Sequence, residues 1–121
     1  MSTLTWKLDR VEGAKMKTLA LILADPNPIH FDPDAASRLG TGGRLVSQGP
    51  GSIGLIYNLF GTELPGQRVR RLDVRLLGNV LEDDEVTVRA ELRSDSTYDV
   101  TVDTASGRKL TAVAYLEDRE I

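Results

Sequence analysis

One short stretch of the sequence holds the residue types that could activate a water molecule. It spans residues 24–32 and contains the single histidine of the 121-residue chain, His30. Pro26 and Pro28 each fix their own backbone and restrain the preceding residue, so the stretch is predicted to be a stiff, non-helical turn. Asp25 lies five residues before His30, and a compact turn could direct both side chains at one water. A carboxylate and an imidazole that converge on water are a usual way to assemble a general acid and base.

Two plainer interpretations of this stretch stay open. Asn-Pro and Asp-Pro pairs are common turn formers, and a single histidine is often structural or exposed, so the residues alone establish only a turn. The stretch also offers the oxygen-bearing side chains of a metal loop, from Asp25, Asn27, Asp32 and Asp34. A calcium loop needs a glycine for its sharp bend, however, and no second histidine exists for a transition metal. No metal site is therefore expected.

A second candidate site lies where a helix is predicted to begin. Its residues are Gln48, Gly49, Pro50 and Gly51. Proline suits the first turn of a helix, so the Gly49 N–H would lie at the positive end of the helix dipole. It could donate there to an anionic oxygen, since glycine lets a ligand approach the backbone closely. An ordinary transition from loop to helix explains the same residues without a ligand.

The elements that must position these residues differ between the two halves of the chain. In the first half a helical stripe consists of Ile53, Ile56, Leu59 and Phe60, and Gly61 is the predicted end of that helix. The segment from Glu12 to Ala24 is also predicted to be a helix, although Leu19 to Leu23 alone could form a buried strand.

From Val69 onward apolar and polar residues alternate, as in half-buried strands. Turn residues separate the strands at Ser94-Asp95-Ser96 and at Ser106-Gly107. The second half is therefore predicted to be an antiparallel meander with one solvated face. The central helix, from Gly51 to Phe60, carries no charge and needs to be wrapped on most sides. A curved sheet around that helix gives a two-layer α+β fold.

Composition narrows the class of protein. The length fits one domain, taken as residues 1–121, and 40% apolar with 27% charged residues is ordinary for a globular protein. A formal charge of −3 provides no basic field for nucleic acid. The absence of cysteine suits a reducing compartment, and no apolar run is long enough to cross a bilayer. A soluble cytoplasmic protein that binds neither nucleic acid nor membrane is the expectation.

The motif as a whole resembles a known family. Asp25-Pro26-Asn27-Pro28-Ile29-His30, followed by Asp32, is similar to the hydratase motif of the MaoC-like dehydratases and (R)-specific enoyl-CoA hydratases. That motif reads roughly Gly-Asp-x-Asn-Pro-(Leu/Ile)-His. The resemblance continues through Gln48-Gly49, where the family has His-Gly before its central helix, and through Leu64-Pro65-Gly66 after it.

The resemblance implies a hot-dog fold and a role for each matching position. Asp25 and His30 would hold and activate the water, and Asn27 would fix the loop that carries them. The Gly49 N–H would polarise the thioester carbonyl. The family works as a dimer, with the acyl chain and the pantetheine arm at the interface. No cofactor is implied, because coenzyme A or phosphopantetheine enters as part of the substrate.

Several positions depart from the family pattern. Ala24 replaces the usual glycine before the aspartate, and Gln48 stands where histidine is common. Tyr57 replaces a small polar residue on the central helix, where it could shorten the acyl pocket or donate its hydroxyl. Glu82-Asp83-Asp84 replaces a Pro-Gly-Asp turn, a change assigned to the surface. Gln48 and Tyr57 are accordingly predicted, with Asn27, to border the substrate.

The predicted function is therefore a hydratase or dehydratase acting on 2-enoyl and 3-hydroxyacyl thioesters, as a homodimer or with a similar hot-dog chain. A hot-dog thioesterase is one rival, but its carboxylate normally comes from the central helix, and Gly51 to Phe60 has none. The other rival is a non-catalytic subunit of a two-chain hydratase. The intact Asp25 and His30 argue against that role, since a scaffold subunit does not need them.

Overall fold

The alternating pattern of the second half forms strands, and the helical patterns of the first half form helices. A computed structural model describes residues 3–119, so the ends of the predicted domain, at 1, 2, 120 and 121, lie outside the described residues. In chain order the elements are β1 (Thr3–Leu8), α1 (Gly13–Leu23), a 3₁₀ turn (Pro28–His30), α2 (Pro33–Ser37), α3 (Gly49–Glu63), β2 (Gln67–Leu76), β3 (Val86–Ser94), β4 (Thr97–Thr104) and β5 (Gly107–Asp118).

The five strands form one curved antiparallel sheet in the order β1-β3-β4-β5-β2. Alternate residues of β3 up to Ala90, and of β4 and β5 up to Val102 and Leu116, are buried on the face that packs against α3, and the predicted alternation is confirmed there; Leu92, at the far end of β3, is 44% exposed. Three residues of α3 pack against the sheet and are at most 3% exposed, namely Ile56, Leu59 and Phe60. The Phe60 ring meets Tyr98 of β4 edge-on, with centroids 5.5 Å apart. This is the two-layer α+β arrangement that was predicted.

The central helix begins as expected and ends later than expected. Gln48 is its N-cap and Pro50 lies in its first turn. The predicted end at Gly61 is wrong, because the helix continues to Glu63. Leu64 leaves the helical conformation and directly precedes Pro65, and a residue before proline is disfavoured in the helical region. Pro65 therefore ends the helix, and Gly61 lies within it.

The connectivity of the sheet differs from the predicted meander. Only β3, β4 and β5 form one, and β2 pairs with β5 instead of β3. The residues between β2 and β3 are not a hairpin, because their backbone groups bond to two other parts of the chain. Val46 pairs with Leu81, and Val11 N–H donates to the Asp84 carbonyl at 3.0 Å. β1, which pairs with β3, is an addition to the predicted elements.

The predicted helix from Glu12 to Ala24 is confirmed as α1, with Glu12 and Ala24 as its caps. Met16 and Ala20, four residues apart, lie on the inner face of the helix and are buried. Leu21 and Ile22 on its other side are 83% and 74% exposed. Within residues 3–119, neither this helix nor any other is long and apolar enough to span a membrane.

Candidate functional site

The loop that follows α1 carries the candidate pair. Ala24 ends the helix with φ of 51° and ψ of 40°, the left-handed conformation that favours glycine. This turn of the backbone lets the Asp25 N–H donate to the Ala20 carbonyl at 2.9 Å. The family glycine at position 24 therefore has a structural reason, and alanine accepts some backbone strain there.

Three short polar side chains fold the rest of this loop. Oδ1 of Asp25 accepts a hydrogen bond from the Asn27 N–H at 3.0 Å, and Oδ1 of Asn27 accepts one from the Ile29 N–H at 3.3 Å. Asp32 makes the same contact with the Asp34 N–H at 3.0 Å, which caps α2. These are Asx turns, in which a side chain bonds its own backbone two residues on. Asn27 thus bonds within its own loop, and the role that the resemblance implies for it stays a prediction.

The loop brings the two predicted catalytic side chains together. Nε2 of His30 lies 3.3 Å from Oδ2 of Asp25. The histidine side chain is 10% exposed and the aspartate side chain 28% exposed, so the pair is largely shielded but open on the aspartate side. The second ring nitrogen, Nδ1, is 2.6 Å from the carbonyl oxygen of Val46.

The contact with Val46 determines which ring nitrogen carries a proton. A carbonyl oxygen can only accept, so Nδ1 donates, and in the neutral form of the ring Nε2 then carries no hydrogen. The free lone pair of Nε2 and the Asp25 carboxylate then face the same space. Two acceptors at this separation can take a proton from one water and return it.

Asp25 also borders a groove of about 430 Å³. Its other lining residues are Lys17, Ala20, Leu21, Ala24, Pro26 and Phe31, so its wall is mostly apolar. An apolar groove with one carboxylate at its side suits a ligand with a hydrocarbon portion.

The structure places Gly49 in a different groove from Asp25. Gly49 is the first residue of α3, and its N–H belongs to the first turn, where backbone donors lack helical partners. The groove beside it, about 240 Å³, is shared with Ser52, Leu76 and Asn79. The prediction that Gly49 lies at the positive end of the helix is confirmed, but a single chain does not bring it into the groove of Asp25.

Gln48 is more deeply buried than its predicted contact with substrate suggests. Its side chain is 1% exposed, and Nε2 donates to the Met16 carbonyl at 2.9 Å, which ties α1 to the start of α3. Oε1 has no hydrogen-bond partner among residues 3–119. The residue borders a third groove, of about 520 Å³, between β1, α1 and α3.

Tyr57 is 48% exposed on α3 and borders none of the three grooves of the described chain named above. Its predicted contact with substrate stays a prediction. The longer α3 does add a carboxylate, Glu63, but this exposed residue is the last of the helix, at the opposite end from Gly49. It does not restore the thioesterase interpretation.

Sequence reasoning missed two groups that bear on the pair. The Val46 carbonyl orients His30 from 16 residues away, and no side-chain pattern marks a backbone acceptor. The turn Glu82-Asp83-Asp84 is not merely surface, as had been assigned. Its Glu82 side chain accepts from the Leu45 N–H at 3.1 Å, and its Asp84 side chain, 12% exposed, pairs with Arg44.

Comparison with known proteins gives matches over nearly the whole chain. The model of the MaoC like domain family matches residues 3–114. The structure is similar to the (R)-hydratase from A. caviae involved in PHA biosynthesis, with 25% identity and a TM-score of 0.81 over 98% of this chain and 95% of that chain. A comparison with curated proteins found no match.

Two further similar structures come from two-chain complexes of Mycobacterium tuberculosis. One is the ChsH1–ChsH2 complex, with 21% identity and a TM-score of 0.79 over 98% of this chain and 96% of that chain. The other is C-terminally truncated HadBC, a 3R-hydroxyacyl-ACP dehydratase, with 16% identity and a TM-score of 0.74 over 95% and 96% of the two chains. The predicted hot-dog fold is confirmed by these likenesses.

Proposed function

The chain belongs to the MaoC-like domain family, as its motif predicted, and we propose that it is a hydratase or dehydratase. The proposed reaction interconverts 2-enoyl and 3-hydroxyacyl thioesters, (R)-specifically, on coenzyme A or acyl carrier protein. The observation that carries the proposal is the contact of 3.3 Å between His30 Nε2 and Asp25 Oδ2, with the other ring nitrogen bound to the Val46 carbonyl. The family match and the likeness to an (R)-hydratase support the same class of reaction.

In the hydration direction the pair activates water. A water molecule at the pair donates its hydrogens to His30 Nε2 and Asp25 Oδ2, which directs an oxygen lone pair away from both. The oxygen attacks C3 of the enoyl group while one water proton passes to the pair, and the pair returns one proton to C2. One water adds across the double bond, and no electrons are gained or lost. The proposal therefore includes no metal and no redox cofactor.

Attack at C3 moves negative charge onto the thioester oxygen, and we assign the Gly49 N–H as the donor that stabilises it. Because Gly49 and Asp25 border different grooves, this role needs a substrate that spans both or a second chain that supplies one of them. Asn27 keeps the loop in place. Tyr57 and Gln48 are proposed to border the acyl group.

A second chain is part of the proposal for that reason. It would be another copy of this chain or a similar hot-dog chain. The two-chain complexes among the similar structures support such an arrangement. They also favour a second candidate function, a subunit that needs an active partner. The closely placed Asp25 and His30 support the catalytic role instead.

The test is hydration by the purified chain alone. Crotonyl-CoA and longer trans-2-enoyl-CoAs are supplied, the loss of enoyl absorbance is followed, and the configuration of the 3-hydroxyacyl product is determined. Activity with an (R)-product supports the proposal. An inactive chain that gains activity with a similar hot-dog partner indicates the subunit role, and release of free thiol without hydration indicates a thioesterase.

A further inference from the structure

The connection between β2 and β3 holds the backbone segment that orients His30. Residues 44–47 lie alongside this connection, where Val46 pairs with Leu81 in an antiparallel bridge. The Ser47 N–H donates to the Val80 carbonyl at 2.8 Å, and the Glu82 N–H donates to the Leu45 carbonyl at 2.8 Å. The segment is therefore fixed on this side by a short two-stranded ladder.

On its other side the same segment contacts the candidate site. The Val46 N–H donates to the Ile29 carbonyl at 2.9 Å, and the Val46 carbonyl accepts from Nδ1 of His30 at 2.6 Å. The peptide group between Val46 and Ser47, which supplies this carbonyl, thus sets the protonated nitrogen and helps to orient the ring. A displacement of that peptide reaches Nε2 directly.

Glu82 binds Leu45, the residue before Val46, at two points. Its backbone N–H holds the Leu45 carbonyl, and its side-chain Oε1 accepts from the Leu45 N–H at 3.1 Å. Leu45 is 1% exposed, so in the intact chain the Glu82 carboxylate, and not water, is the acceptor for its N–H. The Arg44 side chain adds a bond from Nε to the Glu82 carbonyl at 2.8 Å.

Gly13 makes room for this carboxylate. It is the first residue of α1, and a methyl group there would overlap the carboxyl group of Glu82. The carboxylate thus lies against the positive end of α1 while it binds Leu45, an arrangement favoured by the helix dipole. Gly13 does not have positive φ, so the glycine is explained by this close approach.

We propose that Glu82 is a positioning residue for the reaction: its carboxylate, which lies against Gly13, fixes Leu45 and Val46 and thereby holds the His30 ring with Nε2 facing Asp25. The inference rests on the proposed function for its kinetic consequence. Its structural content, the state of the His30 ring, does not depend on any activity. A purely structural role would change the stability of the fold and leave the ring as it is.

The first test replaces the carboxylate in the intact chain. Glu82→Ala is expected to lower kcat for enoyl-CoA hydration about tenfold with KM little changed, since small displacements of a catalytic group are costly. Glu82→Gln keeps an oxygen that accepts from Leu45 and is expected to retain most of the turnover. Glu85→Ala, the same truncation at an exposed residue of the same connection, is the matched control.

The second test perturbs the same carboxylate by a substitution in α1. Gly13→Ala displaces the Glu82 side chain and is expected to reproduce the kinetic loss, although alanine has the higher helix propensity. In a Glu82→Ala background the same change is expected to have no further effect on turnover. This variant also keeps the proposal testable if Glu82→Ala fails to fold.

The third measurement needs no substrate. His30 is the single histidine, so its ring gives one unambiguous set of ¹⁵N and ¹H signals. Glu82→Ala and Gly13→Ala are expected to accelerate solvent exchange of the Nδ1 proton at temperatures well below unfolding, and Glu82→Gln and Glu85→Ala are not. Unchanged ring signals in both altered chains would overturn the proposal, as would an equal change in Glu85→Ala. If the wild-type chain shows no hydration, either alone or with a similar hot-dog chain, the proposed function fails while the ring signals still decide the role of Glu82.

Discussion

The two oxygens of Asp25 have separate tasks, and this separation allows chemistry to be tested apart from folding. Oδ1 accepts from the Asn27 N–H and shapes the loop, whereas Oδ2 faces His30. An asparagine at this position can still present its oxygen to Asn27. Its NH₂ group, however, would face Nε2 as a donor and occupy the lone pair that the mechanism requires.

Asp25→Asn is therefore expected to lower hydration turnover by roughly a hundredfold or more, the usual scale for a lost acid or base. The melting temperature is expected to change little, because the Asx turn is retained. Asp34→Asn is the matched control, since its side chain lies outside the pair. Turnover by Asp25→Asn near that of the wild type would mean that Asp25 has no part in proton transfer.

At His30, an effect on chemistry cannot be separated from an effect on folding in the same way. It is 8% exposed and holds the Val46 carbonyl, so His30→Ala leaves a buried acceptor without its donor. A stability loss of about 1–3 kcal/mol is expected in addition to the loss of turnover. Activity of this variant is to be measured well below its melting temperature, which thermal unfolding followed by circular dichroism provides.

Tyr57 gives a prediction about substrate choice. If it borders the acyl group, Tyr57→Ser removes volume and is expected to shift preference toward longer or bulkier acyl chains. Tyr57→Phe keeps the volume and loses only the hydroxyl, so it separates a limit on size from a hydrogen bond. Kinetics across a series of enoyl-CoAs provide the measurement. Unchanged kinetics in both variants would remove Tyr57 from the site, as its 48% exposure in the single chain allows.

At the scale of residues, the sequence predicted the side chains that meet within one loop and missed the contacts made by backbone. Asp25 and His30 are five apart, and two prolines limit the paths between them. The Val46 carbonyl and Glu82 come from distant segments. Their contribution depends on the ladder between residues 44–47 and the connection after β2, which no local pattern encodes.

At the scale of elements, the end of α1 carries a measurable strain. Ala24 adopts the left-handed conformation, in which a Cβ crowds the backbone, and the turn is needed to place Asp25. Ala24→Gly is expected to stabilise the fold by about 1 kcal/mol, because the relief of strain exceeds the added flexibility of the unfolded chain. Thermal or urea unfolding provides the measurement.

The matched control for this change is Ala14→Gly, in the first turn of the same helix. There glycine removes helix propensity without relieving strain, so the control is expected to destabilise by at most about 1 kcal/mol. A loss of stability in both variants would contradict the strain assigned to Ala24. Turnover of Ala24→Gly is expected to match the wild type, since Asp25 keeps its bond to Ala20.

The positions of the strands were predicted well, because alternation is a local pattern. The order of the strands in the sheet was predicted poorly, because it depends on pairing between distant segments. The alternation from Val86 to Leu116 located β3, β4 and β5, because each strand has one buried face. Alternation does not say which strands are neighbours, so the pairing of β2 with β5 was missed. β1 was overlooked although Leu4, Trp6 and Leu8 also alternate, since six residues give a weak signal.

At the scale of the whole molecule, one chain leaves an apolar surface beside the candidate pair. Leu21, Ile22 and Leu23 of α1 are 83%, 74% and 43% exposed, and Phe31 of the following loop is 40% exposed. Leu21 and Phe31 also border the groove of Asp25. A contiguous patch of this kind is unusual for a monomer and indicates a partner or ligand that covers it.

We therefore expect the purified chain to form a dimer that buries this apolar surface, or to require a similar hot-dog chain for the same purpose. Pairing would hide the patch and close the groove of Asp25 from water, and it could bring the Gly49 of one chain to the pair of the other. Light scattering at micromolar concentration is expected to give the mass of two chains.

Ile22→Lys, a change at an exposed position, is expected to weaken the dimer and lower turnover in a manner that depends on protein concentration. Leu39→Lys is the control, since Leu39 is 57% exposed but lies outside this patch. A stable wild-type monomer with full activity would show that the surface around α1 meets the substrate rather than a second chain.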